Sequence, residues 1–176
     1  MQHDPSLAAD INAVARLTGS FRLRSGAVAT EYFDKYRFEA DPKLLARLAE
    51  RMADLLPAGA EVLAGLELGG VPIATAMSLR TGLPAVFVRK AAKDYGTCQA
   101  VEGGMVDDKA VVIVEDVITT GGQVAMSAAM LREAGAKLVA VVCAIWRGQG
   151  SPAIEGLSDV PVLAAFTRAD LDAHAG

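Results

Sequence analysis

A chain of 176 residues, 52% hydrophobic and 22% charged, has the composition of one globular domain with a sizeable core and excludes a disordered polymer. Its 17 Lys and Arg against 21 Asp and Glu leave a formal charge of −4, which excludes the bulk basic field of a nucleic-acid binder, although local basic clusters can still meet a small polyanion. Cys98 and Cys143 form neither a metal spacing nor a disulfide framework, the first residues lack a basic and then apolar leader, and the longest apolar run, Leu138–Trp146, is far shorter than the roughly 20 residues of a membrane span. The expectation is a soluble protein of the reducing cytoplasm, with no membrane and no nucleic acid as partner.

Leu7, Ile11, Val14, Ala15 and Leu17 fall at helical spacing and predict a short amphipathic helix that ends at Thr18-Gly19-Ser20. Phe21–Ser25 alternates as a half-buried strand, and beyond Gly26 the stretch Thr30–Phe38 reads as extended and aromatic-rich. Tyr32, Phe33, Tyr36 and Phe38 there serve either as hairpin packing or as a flat lid over a planar ring. Asp41-Pro42 starts a helix whose buried stripe is Leu44, Leu45, Leu48, Met52, Leu55 and Leu56, stopped by Pro57. Glu61–Leu68 is a strand, Gly69-Gly70 turns it into a helix over Val71–Arg80, and Ala85–Val88 is the next strand. Arg89–Met105 keeps no period, and a loop of about 15 residues inside a compact domain is functional or mobile. Ala110–Val114 is a strand buried on both faces, followed by a helix over Gln123–Ala134 that Gly135 closes. Leu138–Trp146 is another such strand and leads to Arg147; Val160–Phe166 is the last strand, and a short polar tail follows. This alternation predicts a single α/β domain over 1–176 with a mainly parallel sheet flanked by helices. Residues 1–40 form its N-terminal helix and cap, and 41–176 its core.

The chemistry collects at strand ends. In AVVIVEDVITTGGQV, Glu115 and Asp116 follow the apolar run, and Thr119-Thr120-Gly121-Gly122 makes a turn into the next helix. Such a turn surrounds an anion with backbone N–H groups and the positive helix end. Acids beside a phosphate cradle hold either sugar hydroxyls or a hydrated magnesium. The glycine pair after Glu67-Leu68 either admits a ligand to the backbone or serves tight helix–strand packing. Arg89, Lys90 and Lys93, followed by Tyr95, place three cations where a diphosphate can be neutralised. GxxxxGK[ST] and GxGxxG are both absent, which argues against ATP and NAD.

VVIVEDVITTGG resembles the phosphoribosyl-diphosphate (PRPP) signature of type I phosphoribosyltransferases. FRLRSG, EYF, GLELGGVPIA, VRKAAKDYGT and the Arg closing the strand after the signature helix are similar to the orotate phosphoribosyltransferases in particular. The resemblance runs from Phe21 to Arg147 in order, and it implies the type I fold with an N-terminal hood. It implies that Glu115 and Asp116 engage the ribose hydroxyls, that Val117 and Ile118 belong to the PRPP site, and that the turn Thr119, Thr120, Gly121 and Gly122 wraps the 5′-phosphate. Leu68, Gly69 and Gly70 would bind pyrophosphate through backbone, although some relatives place Tyr-Lys where this chain has Leu68-Gly69. Arg89, Lys90 and Lys93 match the cations on the leaving pyrophosphate, with Arg89, Lys93 and Asp116 as the catalytic set. Tyr95 stands where many relatives have His, and Arg24 replaces a Lys that reaches orotate and PRPP. Arg24, Tyr32, Phe33, Thr119 and Arg147 would hold orotate, Arg147 on its carboxylate; Trp146 stands where relatives carry an acid.

The implied reaction joins orotate and PRPP into orotidine 5′-phosphate and diphosphate, in the de novo synthesis of UMP. The implied cofactor is Mg2+, which no residue ligates directly: it arrives on PRPP and meets Glu115 and Asp116, if at all, through water. The implied assembly is a homodimer in which the 92–105 loop reaches the neighbouring site. The alternatives are a phosphoribosyltransferase for another (purine) base and a non-catalytic PRPP-sensing regulatory protein. Lys93 on a cation-bearing loop speaks against the second.

Overall fold

The computed structural model of the chain describes residues 5–22, 26–90 and 100–173. Helix α1 (Pro5–Ala15) leads into an antiparallel hairpin, β1 (Arg16–Arg22) and β2 (Val28–Phe33), and then into α2 (Tyr36–Ala40) and α3 (Pro42–Ala53). The main body alternates β3 (Val62–Leu66), α4 (Gly70–Thr81), β4 (Ala85–Val88), β5 (Val101–Glu102), β6 (Ala110–Ile118), α5 (Gly122–Glu133), β7 (Lys137–Trp146) and β8 (Val162–Thr167), and α6 (Arg168–Asp172) follows. The body strands form one sheet in the order β5-β4-β3-β6-β7-β8, parallel throughout except for β5.

β6 shows why the apolar runs become central strands. Val112 and Val114 face the core shared with α1, α3 and α4, while Val111 and Ile113 face the core shared with α5. Each of the four is fully buried, so a strand at this place needs no polar alternation. The expected caps are present. The Asp41 carboxylate accepts from the N–H groups of Lys43 and Leu44 at the start of α3. Past α5, the N–H groups of Gly135 and Ala136 donate to the carbonyls of Arg132 and Leu131, with Gly135 at φ 85°.

Five local expectations are corrected. The first helix stops at Ala15 and leaves Leu17 on β1, because pairing with β2 takes up a Thr18-Gly19 run that favours helix weakly. That strand is Arg16–Arg22 instead of one beginning at Phe21. Extended structure ends at Phe33 instead of Phe38: α2 turns Phe38 fully into the core, and burial overrides the β preference of an aromatic run. The long loop contains β5, an edge strand too short to show a period. The polar tail is in part α6, closed by a reciprocal capping box between Thr167 and Asp170.

Candidate active site

Glu115 and Asp116 belong to β6 itself and are buried, Asp116 at 1% exposure, so the strand end is not solvated. Their carboxylates turn onto the backbone: the Asp116 N–H donates to Glu115 Oε1 at 2.9 Å, and the Val117 N–H donates to Asp116 Oδ1 at 2.5 Å. The other Asp116 oxygen, Oδ2, lies 2.5 Å from Lys35 Nζ, a half-buried cation just before α2. Glu39, one helical turn beyond Lys35, is buried beside them, and its Oε1 has no hydrogen-bond partner among the described residues.

Burial sets the charge of this cluster. Desolvation, then the charge of Asp116, pushes Glu115 up to about 9. Desolvation and Asp116 likewise push Glu39 up to about 8. Burial also works against the charge on Asp116, but hydrogen bonds from Glu115 and Lys35, with the Lys35 charge, hold it below the usual carboxylate range. For Lys35 burial again opposes the charge, and the bond and charge of Asp116 outweigh it and raise its pKa. At neutral pH the cluster is therefore an Asp116–Lys35 ion pair flanked by two protonated carboxyls. Carboxylate and carboxyl oxygens so placed suit sugar hydroxyls, which donate and accept. The same burial, with the two acids, pushes the Cys143 thiol up to about 12, so the buried cysteine of β7 is not a nucleophile.

The glycine pair after β3 divides the two roles left open by the sequence. A Cβ on Gly70 would lie 2.3 Å from the Val114 carbonyl oxygen, so Gly70 serves the packing of α4 against β6. A Cβ on Gly69 would lie 1.6 Å from Asp116 Oδ2 and 2.9 Å from Glu39 Oε1, so Gly69 leaves room for the acid cluster. Leu68 beside it is exposed, and the Glu67–Leu68 peptide is cis. The Glu67 carboxylate accepts from the Lys90 N–H, which ties the end of β4 to this turn.

Thr119 and Thr120 stand exposed past β6, and Gly121, at φ 79°, begins α5 without a side-chain cap. The first N–H groups of α5 are thus left for an anion. Gly121 has no room for a side chain, since a Cβ would meet Ile154 at 2.6 Å. Arg89 and Lys90 leave β4 at the same sheet edge; Arg89 Nε is buried with no partner among the described residues. Arg24, Lys93 and Tyr95 lie outside the described residues.

On the base side, Tyr32 and Phe33 end β2, and Arg147 follows β7. The Arg147 guanidinium lies 5.7 Å from the centre of the Phe33 ring. All three line a pocket of about 160 Å³, along with Arg16 and residues of α6. Tyr32 is 46% exposed and tilts against Phe21, so of the two aromatics Phe33 is the one placed on the cation. Trp146 is buried, its Nε1–H donating to the Gly150 carbonyl at 3.2 Å, and its ring fills the space a side chain on Gly148 would need. The departure at that position therefore shapes the loop behind Arg147 from the core. Sequence reasoning missed Lys35, Glu39, Arg16 and Arg168. The first two carried one usable signal, a four-residue spacing around Phe38 that places them on one side of a helical turn.

Residues 37–160 match the phosphoribosyl transferase domain family. A curated orotate phosphoribosyltransferase of Nocardioides sp. is 58% identical over 176 residues, which cover 98% of this chain and 97% of the relative. In structure, the orotate phosphoribosyltransferase of Mycobacterium tuberculosis H37Rv, in complex with Fe(III) dicitrate, superimposes with a TM-score of 0.84 at 30% identity, covering 95% of this chain and 97% of that one. The same protein in complex with 5-phospho-alpha-D-ribosyl 1-diphosphate gives a TM-score of 0.80 at 26% identity, covering 96% and 98%. The chain belongs to the orotate phosphoribosyltransferase family of phosphoribosyl transferases.

Proposed function

We propose that the chain transfers the phosphoribosyl group of PRPP to orotate, releasing diphosphate and forming orotidine 5′-phosphate for pyrimidine nucleotide synthesis. The observation that carries this reading is the joining of two unlike half-sites at one sheet edge. One is a buried acid cluster beside an uncapped helix start; the other is an exposed Arg147 over an aromatic ring. The 58% identical relative supports the choice of orotate.

In this reading the hydroxyls of ribose meet Asp116 and Glu115, and the 5′-phosphate takes the N–H groups of Thr119–Gly122 and the start of α5. The bond from C1′ to the diphosphate oxygen breaks as the ring nitrogen closes on C1′, and the diphosphate leaves with the bonding electrons. Arg89, Lys90 and Lys93 take up the charge that develops on it. Arg147 makes a bidentate pair with the orotate carboxylate, and Phe33 supports the plane of that pair. The base nitrogen gives its proton to an oxygen of the departing diphosphate or to water as the new bond forms, and no histidine is needed as a base.

Magnesium suits the site as cargo of PRPP. The Asp116 oxygens are taken by a backbone N–H and by Lys35, and Glu115 holds a proton, so these groups would meet the ion through water. When bound, the ion neutralises part of the diphosphate charge. The 92–105 segment, anchored at Val101–Glu102 on β4, would serve the site of the neighbouring subunit in a homodimer and help exclude water from PRPP. No described helix is long and apolar enough to cross a membrane. The free, buried Cys143 suits a reducing cytoplasm.

The test is the loss of orotate absorbance on adding PRPP and magnesium. Steady consumption with stoichiometric release of diphosphate is expected, and no turnover at micromolar enzyme refutes the reading.

A further inference from the structure

The pocket between the hairpin and α6 is lined by three arginines and two acids, and their pairing is unequal. Arg16 is held on three sides. Its Nη2 lies 2.5 Å from Asp172 Oδ1, its Nη1 lies 3.4 Å from Glu31 Oε2, and its Nε donates to Asn12 Oδ1 at 2.9 Å. One side chain therefore joins α1, β2 and α6. Arg168 also pairs with Asp172, at 3.3 Å. With these pairs made, Arg147 is the pocket cation that no acid among the described residues neutralises.

The register of the strands connects Arg16 to Arg147. Arg16 stands directly opposite Phe33 across the hairpin, a pairing that brings side chains of one face into contact. Phe33 in turn carries the Arg147 guanidinium. From the other direction, Trp146 pairs with Thr167 across β7 and β8, so the next residues, Arg147 and Arg168, leave adjacent strand ends. Asp172, Arg16, Phe33 and Arg147 thus form a continuous line from the last helix to the base-reading cation. None of the residues from Glu115 to Gly122 lines this pocket.

We propose that Arg16, clamped by Asp172 and Glu31, is a positioning residue for base recognition. It fixes the hairpin against α6 so that Phe33 holds Arg147 toward a planar, anionic base. Arg16 itself does not touch the reacting atoms. The proposal rests on the reading that Arg147 takes the orotate carboxylate, and it adds to that reading a role for the C-terminal helix.

The experiment is steady-state kinetics on the full chain with both substrates varied, using Arg16→Gln, Arg16→Lys, Asp172→Asn and, as a reference, Arg147→Lys. Arg16→Gln should raise KM for orotate roughly tenfold with kcat and KM for PRPP within about twofold, as expected for a misplaced binding group. Arg16→Lys, which keeps a cation for Asp172, should restore part of the loss. Asp172→Asn should reproduce Arg16→Gln, and the double variant should be no worse than either single one, because the two act as a unit. Should Arg16→Gln not fold, Asp172→Asn carries the same test. If Arg147→Lys leaves KM for orotate unchanged, the reading of Arg147 fails and the proposal with it. If Arg147→Lys raises that KM while Arg16→Gln and Asp172→Asn do not, or if they weaken both substrates equally, the role of Arg16 alone is overturned.

Discussion

The ribose-phosphate half of the site and the base half are built by opposite means. The first is centred on one continuous stretch, Glu115 to Gly122, at the carboxyl end of a central strand buried on both faces. Its acids are fixed by their own backbone and, among the described residues, by one outside cation, Lys35. The second half is assembled from segments far apart in the chain: β1, β2, the end of β7, and α6. Arg16, Arg168, Glu31 and Asp172 there are partly exposed and held by ion pairs, while Arg147 rests on the Phe33 ring. On the proposed assignment, buried groups held by backbone meet the phosphoribosyl group, and partly exposed contacts between distant segments meet the acceptor base.

The largest expected effect belongs to the shared half. Lys93→Ala should lower kcat by at least about a hundredfold with both substrates still bound, which is the scale of removing one preorganised charge from a transition state. Rapid-quench turnover beside direct binding of PRPP would separate the two quantities, and unchanged turnover would remove the 92–105 segment from the chemistry. Gly69→Ala should follow closely. Its new Cβ would fall 1.6 Å from Asp116 Oδ2, and so must displace that carboxylate or the turn. A fall in kcat/KM for PRPP of roughly a hundredfold is expected, with orotate affinity kept; a milder loss for PRPP than for orotate would invert the division of the site.

Arg147→Lys probes the other half. It keeps the charge but loses the fork, so KM for orotate should rise about tenfold while KM for PRPP holds. Equal effects on the two substrates would erase the comparison.

The smallest effect concerns pH and the ligand-free protein. Folding raises Glu115 from 4.5 to about 9 and Glu39 from 4.5 to about 8, so both bind protons more tightly folded than unfolded. The stability they contribute is complete below the unfolded value and is lost as pH rises through the folded ones. Asp116 works in the opposite sense, its contribution fading only as pH falls through its lowered value. Thermal unfolding without ligands should therefore weaken from about pH 5 to about pH 9, and Glu115→Gln should flatten that decline. A rise in melting temperature over this window would contradict the protonated carboxyls.

The two halves also differed in how much of them could be read from residues alone. Ala110–Val124 announced itself because strand, acids, turn and helix are contiguous, and a local pattern is what a sequence displays. Asp41 and Gly135 were legible for the same reason, each acting within one turn of its helix. Lys35 and Glu39 were not, because their partner Asp116 stands some eighty positions on, and only tertiary packing of Phe38 brings α2 to it. Arg16 and Asp172 are separated by 156 positions, and nothing local marks either as one end of an ion pair. Trp146 looked like a change in the base site and proved to be a core residue, since strand alternation near a sheet edge does not reveal which side faces ligand. Gly69 and Gly70 were indistinguishable in sequence, and only the positions of Asp116 and the Val114 carbonyl separated them.

The central claim is that this site joins PRPP to orotate and to no purine. The most direct measurement is a side-by-side panel of orotate, adenine and hypoxanthine with PRPP and magnesium, read as diphosphate released. Rapid release with orotate and only background release with either purine are expected, and turnover of a purine at a rate matching or exceeding that of orotate would contradict this specificity.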